Sequence, residues 1–129
     1  MLPTKDIHFL DGLGLEYSIH QDAGMIAVVV RNYQLPPGYA PDVVDLMLRL
    51  QAGYPDLAPD MFWVKPGVTL STGAYPEAAE LFEDHLGERW QRFSRHLDAN
   101  QWRSGVDGLS AYFALIRKAL LASAPEVAA

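Results

Sequence analysis

The sequence contains no cysteine among its 129 residues. Disulfide bonds, thiolate-bound metal ions and a cysteine nucleophile are therefore excluded. No apolar run approaches the roughly 18 residues that a transmembrane helix needs, so no membrane-spanning segment is expected. Lysine and arginine are also scarce, with 10 against 16 acidic residues and a net charge of −6. Because phosphate binding requires a basic surface, this balance argues against nucleic acid as the main partner.

What remains is the composition of an ordinary globular protein, with 50% hydrophobic and 20% charged residues. The length is close to the commonest domain size, which predicts a single domain over residues 1–129. The N-terminal sequence MLPTKDIHF lacks the charged and then apolar layout of a signal peptide, so a cytoplasmic location is expected.

The four histidines do not have the spacing of a metal site. His8, His20, His85 and His96 form no H-x-x-x-H pair with a third partner, so no zinc site is expected. Gly12-Leu13-Gly14 has no G-x-G-x-x-G continuation and is interpreted as a turn. No cofactor is predicted.

Four segments have the apolar patterns of β-strands. Leu15 to His20 alternates apolar and polar residues, and Met25 to Val30 is an uninterrupted β-branched run typical of a buried central strand. Val43 to Leu50 alternates from Leu46 onward, although a helix competes there because Leu and Met favour helices. Met61 to Val64 is a short fourth strand. Short turns between successive strands predict an antiparallel meander.

Three segments have features of helices. Residues 4–11 are predicted to form one turn capped by Thr4. Pro76 is expected to begin a helix that runs to about Asp84, with Gly87 as its stop. Val106 to Leu121 has apolar residues at spacings of three and four, with Ser104 as a candidate cap. A sheet covered on one face by this last helix predicts an α+β fold.

The stretch from Trp90 to Trp102 is interpreted as irregular and holds the densest set of reactive polar groups. Ser94, His96 and Asp98 alternate, so in an extended segment they would project to the same side. A serine nucleophile needs a base, and the base needs an orienting group, which makes these three residues the candidate catalytic set. The competing interpretation is a solvated loop with ordinary polar residues.

Four further residues are candidates for binding. Arg92 and Arg95 flank Ser94 and suit bidentate pairing with acidic groups or a terminal carboxylate. Trp102 is interpreted either as a packing anchor or as part of a binding surface. Tyr39, next to two prolines, belongs either to an exposed partner-binding patch or to a packed turn.

The order of these elements and three motifs resembles the ubiquitin-conjugating-enzyme (UBC) fold. The motifs are Leu35-Pro36-Pro37-Gly38-Tyr39, then Tyr54-Pro55 followed by Pro59, and later Gln101-Trp102-Arg103-Ser104. The resemblance is closest to the prokaryotic UBC-like group called family E and covers roughly residues 13–121. It implies a four-stranded meander, an active-site loop, and a long helix packed on the sheet.

The resemblance also implies site residues. The catalytic cysteine of the family lies eight residues before the tryptophan matched by Trp102, which is the position of Ser94. The His-Pro-Asn motif has no match, and Asp84-His85-Leu86 stands near its place. Without a thiol, the chain is expected to form no thioester. Three interpretations stay open: a non-catalytic binding module, an oxyester on Ser94 or a histidine nucleophile, and an unrelated small α+β hydrolase.

The partners implied by the resemblance are a ubiquitin-like protein, an activating-enzyme-like protein and a JAB-type peptidase. In the UBC family the active-site loop lies beside the long helix, where the C-terminal tail of the ubiquitin-like protein is laid. Ser94 and His96 are therefore expected on this loop and at least partly exposed. The N-terminal helix that usually docks the activating enzyme is shortened here.

Overall fold

A computed structural model describes residues 2–95, 102–104 and 106–124. Within these residues, eight strands lie between two helices. In chain order the elements are α1 (Thr4–Gly12), β1 (Tyr17–Asp22), β2 (Met25–Gln34), β3 (Tyr39–Ala40), β4 (Val43–Leu50), β5 (Met61–Lys65), β6 (Thr69–Leu70), β7 (Leu81–His85), β8 (Glu88–Ser94) and α2 (Leu109–Ser123). No helix in these described ranges is long and apolar enough to cross a membrane.

The main sheet has six strands in the order β1-β2-β4-β5-β8-β7. Every neighbouring pair is antiparallel. The predicted four-stranded meander is confirmed as β1, β2, β4 and β5, and the choice of strand over helix for Val43–Leu50 is also confirmed. The two short strands β3 and β6 pair separately.

The predicted helix from Pro76 to Asp84 is wrong. Leu81–His85 is a strand that forms a hairpin with β8, and Leu86 and Gly87 take the positive φ angles of a type I′ turn, 55° and 76°. Gly87 is thus a turn residue and not a helix stop. The helix propensity of leucine and glutamate is a weak preference, and the backbone hydrogen bonds of β7 to β8 override it.

The interpretation of Trp90–Trp102 as irregular is wrong for its first part. Residues up to Ser94 belong to β8, which pairs with β5 on one side and β7 on the other. Gln91 explains how this strand is held against the preceding loop. Its buried amide accepts a hydrogen bond from the N–H of Val68 and donates to the carbonyls of Val68 and Ala79, at 2.7–3.0 Å. This glutamine therefore satisfies backbone groups that would otherwise be buried without partners.

One face of the sheet, the covered face, packs against both helices. Residues from alternate strand positions meet α2 in a single apolar core; the buried members on the strands include Val28, Val30, Leu46, Leu48, Leu50, Phe62, Val64 and Phe93. In α2, Leu109, Tyr112, Phe113, Ile116 and Leu120 are buried. The prediction that the C-terminal helix covers the sheet is confirmed.

Neither predicted side-chain cap forms. Pro3 precedes α1 without a side-chain cap, so Thr4 is not the cap. The helix α2 begins at Leu109, three residues later than predicted, and Ser104 does not cap it. Instead Asp6 of α1, which is buried, accepts a hydrogen bond from the N–H of Leu109 at 3.0 Å. A carboxylate at a helix N-terminus is stabilised by the unpaired N–H groups and the dipole there.

The opposite face of the sheet, the open face, has a smaller apolar cluster of Ala27, Val29, Met47, Trp63 and Trp90. Ion pairs border it, including Arg31–Asp45, Lys65–Glu88 and Arg92–Glu83. The buried residues of both helices belong to the other face, so within the described ranges no helix covers this one.

Candidate functional site

Ser94 lies at the end of β8, opposite Met61 of β5. It is half-buried, and its N–H donates to the carbonyl of Ala78 at 3.1 Å. Ser94 lines a cavity of about 410 Å³ between the ends of β5 and β8 and the C-terminal half of α2. Its walls are mainly apolar, and the charged lining residues are Glu77, Arg95 and Lys118. This residue therefore borders a groove beside the long helix.

Arg95 connects this strand end to α2. Its guanidinium donates to the carbonyl of Ser94 at 2.8 Å and to the Ser123 hydroxyl at 2.9 Å. Its own N–H donates to the carbonyl of Asp60 at 3.2 Å, and the guanidinium lies 5.6 Å from the ring centre of Phe93. The side chain is thus held in the cavity wall by internal partners, which an incoming carboxylate would have to replace.

Arg92 does not converge with Arg95. It follows Trp90 by two positions on β8 and so lies on the open face, where its guanidinium pairs with Glu83 at 2.7 Å. The sequence grouped the two arginines because they flank Ser94, but the alternation of the strand separates them. They do not form one bidentate binding site.

Glu83 is the centre of a polar cluster on the open face. Its carboxylate accepts hydrogen bonds from Trp63, His85 and Arg92 at 3.0, 3.0 and 2.7 Å. Burial raises the pKa of Glu83, but the hydrogen bonds from His85 and Trp63 and the charge of Arg92 outweigh it. The pKa therefore lies below its ordinary value, and the carboxylate stays ionised at neutral pH.

Trp102 joins the segment after the candidate site to the Tyr54-Pro55 turn. Its indole N–H donates to the carbonyl of Pro55 at 2.8 Å, and its ring lies 6.3 Å from that of Tyr54. Tyr54 in turn donates to Asp6 at 2.5 Å. Burial and this carboxylate raise the pKa of Tyr54 well above its usual value, so the phenol remains a donor. Trp102 is half-buried, and its contacts are those of a packing anchor.

Two of the three candidate catalytic residues, His96 and Asp98, lie outside the described residues, so the geometry of the predicted set stays a prediction. Tyr39 is described and is only 6% exposed. Its hydroxyl donates to the carbonyl of Leu120 at 2.6 Å. Of the two interpretations of Tyr39, the structure agrees with the packed turn and not with the exposed patch.

A surface that the sequence did not indicate lies where α1 meets the two loops around Trp102. We call it the junction surface and define it as Lys5, Asp56, Leu57, Ser104 and Val106. The Ser104 hydroxyl donates to Asp56 at 2.7 Å, and the Lys5 ammonium donates to the carbonyl of Val106 at 2.7 Å. Leu57 and Val106 are 53% and 58% exposed, so two apolar side chains stand among these polar contacts.

No sequence signal points to this surface or to Asp6. The contacts join residues about 50 or 100 positions apart, such as Ser104 with Asp56 and Leu109 with Asp6. Local patterns report only neighbours within a turn or strand. Within the described ranges, no group of three or more histidine, aspartate or glutamate side chains is placed to hold a metal ion.

The family model described as prokaryotic E2 family E matches residues 2–123. The chain belongs to this family. Comparisons with curated proteins and with solved structures found no match. The match to family E confirms the resemblance seen in the motifs and extends it from α1 to the end of α2. The α+β sheet with its covering helix is consistent with the UBC-like fold, and the alternative of an unrelated hydrolase is removed.

Proposed function

We propose that this chain is a non-canonical E2-like component of a bacterial ubiquitin-like modification pathway, and that it works without a thioester. In this proposal it acts as one cytoplasmic domain and binds a ubiquitin-like protein, its activating-enzyme-like partner, or both. The observation that carries the proposal is a family match over nearly the whole chain in a sequence with no cysteine. A thiolate is the group that exchanges thioesters near neutral pH, and no other side chain supplies one.

The groove beside Ser94 is the proposed seat of the ubiquitin-like C-terminal tail. Its apolar lining suits the stem of an extended tail, and Arg95 and Lys118 supply positive charge for the terminal carboxylate. Ser94 stands at the position that the family resemblance gives to the catalytic cysteine. His96, which the family resemblance puts on the same loop, completes the proposal, whereas Arg92 is paired with Glu83 on the open face.

The junction surface is the proposed docking site for the activating-enzyme-like protein. Two exposed apolar side chains, Leu57 and Val106, lie beside the polar contacts of Lys5 and Asp56, which suits a small interface with an apolar centre and a polar rim. The contact of Lys5 with the carbonyl of Val106 joins α1 to this surface.

Binding of the activating-enzyme-like protein to matched variants tests this docking site. Leu57→Glu and Val106→Glu should each weaken binding by about tenfold or more, which corresponds to about 1.4 kcal/mol, because a charge replaces an apolar contact. Leu81→Glu is the control, because Leu81 is similarly exposed, at 52%, but lies on the edge strand β7 and not on the junction surface. Titration calorimetry that shows equal losses in all three variants, or none in the first two, would contradict the site.

Incubation with the activating enzyme, the ubiquitin-like protein and ATP tests the chemistry. No adduct that a reductant removes should appear on a gel. If Ser94 carries an oxyester, a reductant-resistant adduct that hydroxylamine cleaves will form and will be lost in Ser94→Ala but not in Ser110→Ala. If the chain is purely an interaction module, no adduct will form and Ser94→Ala will bind normally.

His96→Ala provides a separate test of the loop. It should impair pathway function while leaving the melting temperature within a few degrees, because an exposed loop side chain adds little stability.

A JAB-type peptidase is the remaining proposed partner, and its removal of any adduct would place it in the same pathway.

A further inference from the structure

A serine and a histidine meet on β1, far in the sheet order from Ser94. The Ser18 hydroxyl oxygen lies 2.8 Å from Nε2 of His20. No other hydroxyl–imidazole hydrogen bond occurs within the described ranges 2–95, 102–104 and 106–124. Residues two apart on a strand share one face, and here that face is the open one. The distance is within the reach required of a nucleophile and its general base.

The two side chains have room for a reacting group. Their cross-strand neighbours on β2 are Val29 and Ala27, which are small and buried. Ser18 and His20 themselves are half-buried, and the face that they share is the one without a helix. An incoming acyl group therefore meets no covering element in the described part of the chain.

The outer backbone edge of β1 has no strand partner among the described residues. β1 is the outermost strand of the sheet and pairs only with β2 in the described residues. The N–H of Arg31 donates to the carbonyl of Glu16, which makes these two a hydrogen-bonded pair in the ladder. Hydrogen-bonded and non-hydrogen-bonded pairs alternate in an antiparallel ladder, so Ser18 faces β2 and Ile19 presents its N–H and C=O to the free edge.

We propose that Ser18 and His20 are a nucleophile and base that accept an acyl group from an activated ester or thioester at the end of an extended peptide. The peptide would lie along the free edge of β1 as an added strand, with backbone hydrogen bonds to Gln21 and to the carbonyl of Ile19. The N–H of Ile19, between the two side chains, faces the same edge and is available to the developing oxyanion.

The step balances without a further reactant. Nε2 of His20 takes the proton of the Ser18 hydroxyl as the oxygen forms a bond to the carbonyl carbon. The bond from that carbon to the leaving oxygen or sulfur then breaks. The leaving group receives the proton from His20, and an acyl ester remains on Ser18. The pair is independent of Ser94 and of any partner protein.

The intact chain with p-nitrophenyl acetate as the probe tests the pair. Release of p-nitrophenol should be accompanied by one acetyl group that peptide mass mapping places on Ser18. Ser18→Ala and His20→Asn should each lower the initial rate by about 100-fold, the lower range of general-base catalysis. Ser110→Ala should leave it unchanged. Acetylation of other residues, or an unchanged rate in Ser18→Ala, would overturn the proposal.

Ser18→Cys gives a second readout that does not depend on the ester. It introduces the only thiol of the chain, so alkylation by iodoacetamide reports this position alone. Adding His20→Asn should slow alkylation about tenfold if His20 acts as the base, because the thiolate is the reactive form. Equal rates in the single and double variants, with circular dichroism showing that both are folded, would overturn the role of His20. Adduct formation at Ser94 is unaffected by either result, so the two proposals fail separately.

Discussion

The two faces of the sheet are held by different interactions. The covered face has large apolar side chains packed under α1 and α2, with the carboxylate of Asp6 buried where the helices meet. Among the described residues, the open face has a cluster of five buried apolar residues and a border of ion pairs. The covered face has the larger apolar area to remove from water, so it should provide most of the stability. The open face and the edges can then vary in polar chemistry with little cost to the fold.

Neighbouring residues on β4 allow the most direct test of this difference. Leu48 faces the helices and Met47 the open face, and both are 0% exposed. Leu48→Ala should lower the free energy of unfolding by about 2–5 kcal/mol. Met47→Ala should cost about 1 kcal/mol less, because a site near the surface collapses more completely around a deletion. Urea denaturation of both variants measures this, and a larger loss for Met47→Ala would reverse the ranking of the faces.

Two aspartates of α1 accept hydrogen bonds from tyrosines elsewhere in the chain, and comparing them gives the next test. Asp6 is buried and accepts from Tyr54 and from the N–H of Leu109, whereas Asp11 is exposed and its carboxylate accepts from Tyr17 at 2.6 Å. Asp6→Ala should cost about 1–3 kcal/mol, because two buried donors lose their acceptor. Asp11→Ala should cost less than about 0.5 kcal/mol. Equal losses in thermal unfolding would show that burial at the junction of the helices does not matter.

The open face should respond to acid through Glu83. The pKa of Glu83 is lowered in the folded protein, so its contribution to stability is present above its ordinary pKa of 4.5 and is lost as the pH falls through the folded value. At pH 7, Glu83→Gln should lower the free energy of unfolding by about 1 kcal/mol. The difference from the unsubstituted protein should shrink below pH 4.5. A difference that grows in acid would contradict the sign of the pKa shift.

The smallest effect is expected at the Lys65–Glu88 pair, whose carboxylate is largely exposed. Glu88→Gln should change the free energy of unfolding by less than about 1 kcal/mol, and added salt should remove the difference. Denaturation in low and high salt checks this. A loss as large as that of Glu83→Gln would mean that the ion pairs act as one network across the open face.

The covered face was more predictable from sequence than the open edges. The apolar pattern of Val43–Leu50 matched the observed bounds of β4, with alternation from Leu46 onward and the preceding strands favouring a strand over the competing helix. The hairpin of β7 and β8 was missed, since Pro76 and nearby glutamates have the local features of a helix start. Its position in the sheet depends on the pairing of β8 with β5, whose partner residues are 27 to 33 positions apart in sequence.

The candidate site was predictable in part. Counting from Trp102 placed Ser94 next to the groove beside α2, a relation that the cavity lining is consistent with. The direction of each arginine was not predictable, because the strand β8 was not recognised and with it the alternation that separates Arg92 from Arg95. The acceptor for the N–H of Leu109 was also not predictable, because it is the buried carboxylate of Asp6, 103 positions earlier.

Hydrogen–deuterium exchange, measured with and without the activating-enzyme-like protein, tests most directly where this E2-like chain meets its partner. The account predicts slower exchange in residues 51–60 and 102–108 and in α1, the segments that form the junction surface. The edge strands β1 and β7 should exchange as they do in the free protein. Protection confined to those edge strands or to the open face, with the junction surface unchanged, would contradict it.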